Sequence, residues 1–401
     1  QGEGEAMGTL EAAPRGAGRP LFTDRQLLAL MWPLVLEQLL AIAVGMADSL
    51  MVATVGDAAI SAVSLVDSIS NLMIYIFSAM ATGGAAVAGQ YIGLKQRDDA
   101  CSAGQQLIAL LLAVSAFFVA LLYLFRTQIL TTMFGHIEPD VMAATNTYYL
   151  YVMASIPGIA LYNGGAALWR TMGRSDVSLK VSLLMNGINV AGNAILIFGF
   201  GMDVAGVAIP TLVSRTVAAV VILAMLFDEK LTLHLSNVKG FRVNARLMKN
   251  IFYIGVPSGV ENGMFHLGRL VLFSLISTFG TASIVANAIG NTIGNFNCFA
   301  GSAVNLGLAA VVSQCVGAGE YEQARGYLRK IIRWTYAVMA AVNALIAALL
   351  PLIMRVYDVS PEAERLAVIV SMIHTVSSVV LWLPAFMLPS FLRAAGDARF
   401  T

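Results

Sequence analysis

Residues 33–66, PLVLEQLLAIAVGMADSLMVATVGDAAISAVSLV, and residues 257–290, PSGVENGMFHLGRLVLFSLISTFGTASIVANAIG, carry one pattern twice, 224 positions apart. The correspondence extends without a gap from 33–100 to 257–324, where 18 of 68 positions are identical. The retained positions include Pro33/Pro257, Glu37/Glu261, Gly56/Gly280, Asn71/Asn295, Gly83/Gly307, Gln90/Gln314 and Gly93/Gly317. These are turn, packing and polar residues, so the two copies share a backbone and not merely an apolar composition. Each copy holds apolar runs longer than the roughly 20 residues that cross a bilayer. The repeat unit therefore begins with a pair of membrane-spanning helices, and the fold class is an all-α polytopic membrane protein with no strands.

The rest of the chain agrees. Of its 401 residues 58% are hydrophobic and 12% charged, with mean hydropathy +0.78, about half the charge of an ordinary soluble domain. A soluble enzyme is excluded. A net charge of +1 offers no field for nucleic acid. Cys101, Cys298 and Cys315 are too scattered for a disulfide framework or a thiolate metal site. No HExxH, GxSxG or GxxxxGK[ST] motif is present, so neither hydrolytic chemistry nor ATP-driven pumping has its residues. No cofactor is expected. Energy would come from an ion gradient, with H⁺ or Na⁺ as the coupling ion.

Ten apolar stretches read as spans: 27–54, 59–92, 104–125, 142–168, 178–200, 204–227, 248–278, 283–314, 328–354 and 366–391. Six lie before the second copy begins, so the two repeats run in the same direction, related by an axis along the membrane normal. The expected division is a flexible tail at 1–25, a first lobe at 26–227 with helices 1–6, a linker at 228–247 and a second lobe at 248–401 with helices 7–10. A weaker echo of Arg170-x-x-Gly173 in Arg393-x-x-Gly396 aligns Thr401 with the end of the fourth helix of the first half, so the repeat expects two more helices and twelve in all. Nineteen of the 24 Lys and Arg residues fall in the tail, in alternate loops and at the C-terminal end, against three, Arg126, Arg355 and Arg365, in the opposite loops. By the positive-inside rule the N-terminus is cytoplasmic, in a multi-pass plasma (inner) membrane protein.

Four acids stand well inside apolar spans: Glu37, Asp48, Asp67 and Glu261. A charge at bilayer depth costs about 2.5–3.5 kcal/mol on insertion scales. Each is therefore either a proton or cation site facing a cavity, or a protonated carboxyl locked into helix packing. Glu37 and Asp48, eleven residues apart, return to within about 20° of one helix face, roughly 16 Å apart along it. Asn186, Asn189 and Asn193 form one polar stripe, and Asn287, Asn291 and Asn295 another. Both suit interhelical amide bonds, or carbonyl ligands for a hard cation. Glu37 and Glu261 are repeat mates, whereas Asp48 pairs with Leu272 and Asp67 with Asn291, so the first half holds acids that its partner lacks. Arg215 and Arg269 are the interior cations, either counter-ions or side chains that snorkel to a helix end. Pro157, Pro210, Pro384 and Pro389 can kink helices around a cavity.

From residue 22 to 401 the chain resembles the multidrug and toxic compound extrusion (MATE) transporters, in the larger group that includes lipid-linked oligosaccharide flippases. The likeness rests on the segment at 33–66, on GGAAVAGQYIGLKQRDDA at 83–100, WRTMGRSD at 169–176, NVAGNAILIFGFGMDVAGVAIPT at 189–211, and GVPSGVENGMF with its downstream QCVGAGEYEQA. The resemblance implies a secondary antiporter, acting as a monomer in the lipid bilayer, that exports small amphipathic, often cationic, organic compounds by rocking two lobes around a central cavity. It implies an ion-coupling site at Asp48, Asn189, Asn193 and Thr211, with Na⁺ the one metal ion it would hold. Family members commonly carry an acid where Asn193 stands. Others use an acid in helix 7, which makes Glu261 a secondary candidate beside Glu37, Asp67, Asn291 and Asn295. A flippase is the alternative, and it would need a cavity lined with many cations for a pyrophosphate-linked substrate.

Overall fold

The computed structural model describes residues 20–134, 138–235, 242–357 and 359–397. Most of the expected tail and residues 236–241 of the expected linker lie outside the described residues. Among those described there are helices and no strands. The helices are α1 (Asp24–Val55), α2 (Asp57–Gly93), α3 (Arg97–Leu124), α4 (Arg126–Phe134), α5 (Pro139–Ala154), α6 (Ile156–Thr171), α7 (Ser175–Ala194), α8 (Ala205–Ala224), α9 (Ala245–Ser277), α10 (Thr281–Gly317), α11 (Tyr321–Tyr357), α12 (Pro361–Val380) and α13 (Leu388–Ala395). Eight are long and apolar enough to cross a membrane, two of them counted with their short extensions. With α9, and with α5 and α6 taken as one interrupted span, they give ten passes in the places that the apolar runs predict.

Local chemistry explains the ends and the breaks. At the start of α1, Thr23 and Gln26 cap each other reciprocally: Thr23 N–H donates to Gln26 Oε1 at 2.8 Å, and Gln26 N–H to Thr23 Oγ1 at 3.3 Å. The fourth pass is interrupted at Ser155, just before Pro157, which has no N–H to continue the helical ladder. The tenth carries a π-turn at Leu383–Met387 around Pro384.

The repeat is a repeat of structure. Gly56, alone between α1 and α2, has φ +130°, and its mate Gly280, just before α10, has φ +97°. A side chain would strain the backbone at either place. Both helix pairs start at the same end of the molecule. There Arg97 donates to the Leu231 carbonyl at 2.8 Å, Gln106 to the Arg242 carbonyl at 2.7 Å, and Lys330 pairs with Asp24. This basic end gathers the loops that charge counting places together.

Two apolar cores cross between the repeats. The larger runs from Val52 through Trp169 and Ile222 to Ile251 and Ile254 of α9. The second joins Leu27, Leu30 and Met31 of α1 to Leu308, Val311 and Ile331. Each repeat thus lends the first turns of its leading helix to the other's core. Hydrocarbon tails are as apolar as leucine, so close approach of small residues rather than exclusion from water drives such packing. A Cβ added to Gly83 would lie 3.2 Å from the Gly255 backbone. At the basic end α2 and α10 touch backbone to backbone: a Cβ on Gly93 would collide with the Gln314 and Ala318 backbone, and one on Gly317 with that of Gln90. Gln90 donates to the Ala394 carbonyl at 3.3 Å and its mate Gln314 to the Thr171 carbonyl. These two bonds are a symmetric clasp that closes the basic end.

Candidate functional site

Asp48 lies in the second half of α1, where α1 packs on α7, and α7 in turn packs on α8. Asn193 on α7, fully buried, donates from Nδ2 to Asp48 Oδ1 at 3.0 Å. One turn earlier, Asn189 faces the same carboxylate. A carboxylate only accepts, so the Asn189 amide turns its nitrogen to Asp48, at 2.9 and 3.0 Å from the two oxygens. Its Oδ1 then accepts from Thr211 Oγ1 on α8 at 3.2 Å, a hydroxyl shared with the Val207 carbonyl. The α1 carboxyl is thus held by two α7 amides, and α8 joins through Thr211 on Asn189, so Asp48, Asn189, Asn193 and Thr211 stand together. Asn186, the third member of that stripe, instead bonds within its own helix to Ser182 at 3.4 Å.

The other interior acids are held separately. Asp67 on α2 accepts from Tyr148 of α5 at 3.2 Å. Arg215 of α8 lies within electrostatic range of Asp67, Tyr148 and Asp48, and donates to Ser155 Oγ at 2.8 Å, at the break before Pro157. Glu37, on the same α1–α7 contact as Asp48 but nearer the basic end, accepts from Tyr162 at 3.1 Å and Ser178 at 3.0 Å. Its mate Glu261 pairs with Arg393, which also donates to Ser390 at 3.0 Å. Arg170 and Arg393 are the echo positions of the repeat. The two glutamates therefore sit beside related elements and take different partners, hydroxyls in the first half and a guanidinium in the second.

Away from the basic end, α2, α9 and α10 border an open cavity of about 390 Å³, lined on α2 by Ser68, Asn71, Leu72 and Tyr75. The α9 wall brings His266, Arg269 and Phe273, and α10 brings Asn287 and Asn291. Arg269 donates to Asn291 Oδ1 at 2.8 Å, and Tyr75 stacks on His266 with ring centroids 3.7 Å apart. Asn295, exposed two turns beyond Asn287, is not among the lining residues. Sequence reasoning missed Tyr148, Tyr162, Ser178, Ser155 and Tyr75 as partners, because a lone hydroxyl in an apolar span carries no periodic signal; Pro157 alone hinted at Ser155. Among the described residues no cluster of three or more His, Cys, Asp or Glu side chains could hold a metal ion.

Residues 33–195 and 257–401 match the MatE family, the two matched segments beginning on the repeat mates Pro33 and Pro257. The chain belongs to the MatE family. These are multi-pass membrane transporters. The chain is 25% identical over 391 residues to an uncharacterized transporter, YisQ, of Bacillus subtilis (strain 168), covering 95% of this chain and 84% of that protein. It is 23% identical over 352 residues to the probable multidrug resistance protein NorM of Thermotoga maritima, covering 84% and 73%. Its fold superposes on a mutant form of the MATE transporter VcmN of Vibrio cholerae with a TM-score of 0.84 at 19% identity, over 93% of this chain and 84% of the other.

Proposed function

We propose that this MatE family protein is a monomeric secondary antiporter of the plasma membrane that exports small amphipathic organic compounds, driven by protons taken up at Asp48. The observation that carries the reading is the pair of amides on α7 that hold this single carboxylate. Both present N–H groups to it. A carboxylate accepts these bonds, whereas a protonated carboxyl turns a donor toward donors, so protonation loosens the contact between α1 and α7. That is a charge change linked to a helix contact, which a coupled transporter requires. A sodium site would need several oxygens around the ion. With both α7 amides donating to Asp48, such a site would need Asn189 and Asn193 to turn their oxygens toward the ion.

The lobes would be residues 26–227 and the chain from 248 onward, joined by the linker at 228–247, with the N-terminus in the cytoplasm. In that orientation the clasp closes the cytoplasmic side and the cavity faces out, an arrangement suited to release of cargo. The single guanidinium and modest volume of the cavity fit a small molecule better than a lipid-linked pyrophosphate. Dye efflux from vesicles under separately imposed H⁺ and Na⁺ gradients tests the reading. Efflux driven by H⁺ alone is the expected result; efflux driven by Na⁺ alone would move the coupling ion, and none under either would remove the antiporter.

A further inference from the structure

Relatives carry the word multidrug in their names, and the family resemblance points to cargo that is often cationic. The cavity of this chain has the opposite polarity. Its lining includes one permanent cation, Arg269, and no carboxylate among the described residues. The hydrogen-bond partner that the structure gives Arg269 is Asn291, a neutral amide at 2.8 Å. Three interior acids are engaged elsewhere: Asp48 with Asn193 of α7, Asp67 with Tyr148 of α5, and Glu261 with Arg393. A guanidinium at membrane depth is costly unless it faces a cavity or a partner, and an intramembrane ionisable residue is by default a candidate functional site. The repeat sharpens this, because the mate of Arg269 is Gly45 and the mate of Asn291 is Asp67. The first repeat puts an acid where the second has a neutral acceptor, and nothing where the second has a base.

The walls fit the rest of such a ligand. Tyr75 and His266 stack at 15° between planes, joining α2 to α9 in a flat surface beside the guanidinium. Leu72, Leu272, Phe273 and Ile276 line an apolar side, and Ser68, Asn71 and Asn287 add neutral polar groups. We propose that the cavity between α2, α9 and α10 takes an aromatic organic anion, its acidic group on Arg269 and its ring against the Tyr75–His266 pair. This deepens the export reading above and rests on it for the direction of transport, but binding itself does not depend on that reading.

The test uses the intact chain, purified in detergent and reconstituted in proteoliposomes, with two dyes of one ring system: fluorescein, an anion, and a cationic rhodamine. Fluorescence polarisation in detergent reports binding, and dye movement under an imposed pH gradient reports transport. Fluorescein should bind and move, and Arg269→Gln should weaken its binding about ten- to a hundredfold, the weight of a charged hydrogen-bonded pair. Arg269→Lys should restore most of it, which a merely structural arginine would not show. If the rhodamine alone binds and moves, and Arg269→Gln leaves it unchanged, the anion site is wrong while the export reading stands. If fluorescein binds through Arg269 but neither dye moves under any gradient, the site stands and the export reading falls. If chloride at millimolar concentration displaces fluorescein fully, the cavity is an inorganic-anion site and the aromatic ligand is wrong.

Discussion

The two repeats begin with the same helix pair, and yet they put opposite charges at membrane depth. In the first, Asp48 and Asp67 face α5, α7 and α8, with amides and a tyrosine as donors. In the second, the matching positions are Leu272 and Asn291, and the charge that faces the cavity is Arg269. What the repeats keep is mechanical: the positive-φ glycines Gly56 and Gly280, the glutamine clasp, and the touching glycines Gly93 and Gly317. What they vary is electrostatic, apart from the retained acids Glu37 and Glu261, which keep their charge and change their partners. The copies share the contacts that shape the backbone, and their divergence leaves Asp48 and Asp67 in the first and Arg269 in the second.

The largest effect should come from Asp48. Asp48→Asn keeps the size of the side chain and removes its titration, so gradient-driven efflux should fall to the level of empty vesicles while the protein remains folded. Glu261→Gln should leave driven efflux measurable, because Glu261 is committed to Arg393. If Glu261→Gln stops efflux and Asp48→Asn does not, the division of labour between the repeats is reversed.

Next in size is the clasp. A Cβ on Gly317 has no room beside the Gln90 backbone, and overpacking of this kind costs about 1–3 kcal/mol. Gly317→Ala should shift the molecule away from the state closed at its basic end by about tenfold or more. Cys315, fully buried two residues away, reports this directly. In a background with Cys101 and Cys298 replaced by Ser, its maleimide labelling from the basic side should speed up by a similar factor, and an unchanged rate would show that the glycine contact does not gate that end.

The glutamates rank third and compare the repeats at one position. Glu261→Gln leaves Arg393 without its carboxylate. The pair is partly solvated, with Glu261 38% exposed, so the cost should be about 1–2 kcal/mol, below that of a fully buried pair. Glu37→Gln replaces an acceptor of two hydroxyl bonds with an amide that can turn its oxygen toward one of them, costing about 1 kcal/mol or less. Thermal unfolding in detergent should place Glu261→Gln below Glu37→Gln. The reverse order would mean that the hydroxyl cage, not the ion pair, holds its repeat together.

Much of this was legible in the sequence, and the reason lies in the solvent. A bilayer demands long apolar runs, so the ten passes and their shared direction follow from hydropathy and from a 224-residue offset that keeps Gly56/Gly280 and Gln90/Gln314 in register. Asp48 stood out as an acid in an apolar helix, and the resemblance supplied Asn189, Asn193 and Thr211. The partners of the other charges were not legible. Arg269 meets Asn291 across 22 residues and two helices, Arg393 meets Glu261 across 132, and Asp67 meets Tyr148 across 81. No periodicity within one helix encodes such pairs; they exist only once the helices cross. The asparagine stripes show the same limit, since i, i+3 and i, i+4 spacing puts amides on one face without saying which of them reach a charge.

The smallest effect should distinguish members of one stripe, and it is the most exacting test of the site. Asn186, Asn189 and Asn193 share a face of α7 by spacing, but the structure gives Asp48 to the last two and leaves Asn186 with a 3.4 Å bond to Ser182 in its own helix. A bond of that length is at the weak limit of the usual range, and even interhelical bonds in membranes average only about 0.6 kcal/mol. Asn186→Ala should therefore change unfolding by less than about 0.5 kcal/mol and leave proton-driven efflux near the wild-type rate. Asn193→Ala removes a donor that faces the carboxylate directly, so it should shift the pH at which efflux is half-maximal. If Asn186→Ala shifted that midpoint as far as Asn193→Ala does, the stripe would act as one polar surface and the three-helix contact at Asp48 would not be the seat of coupling.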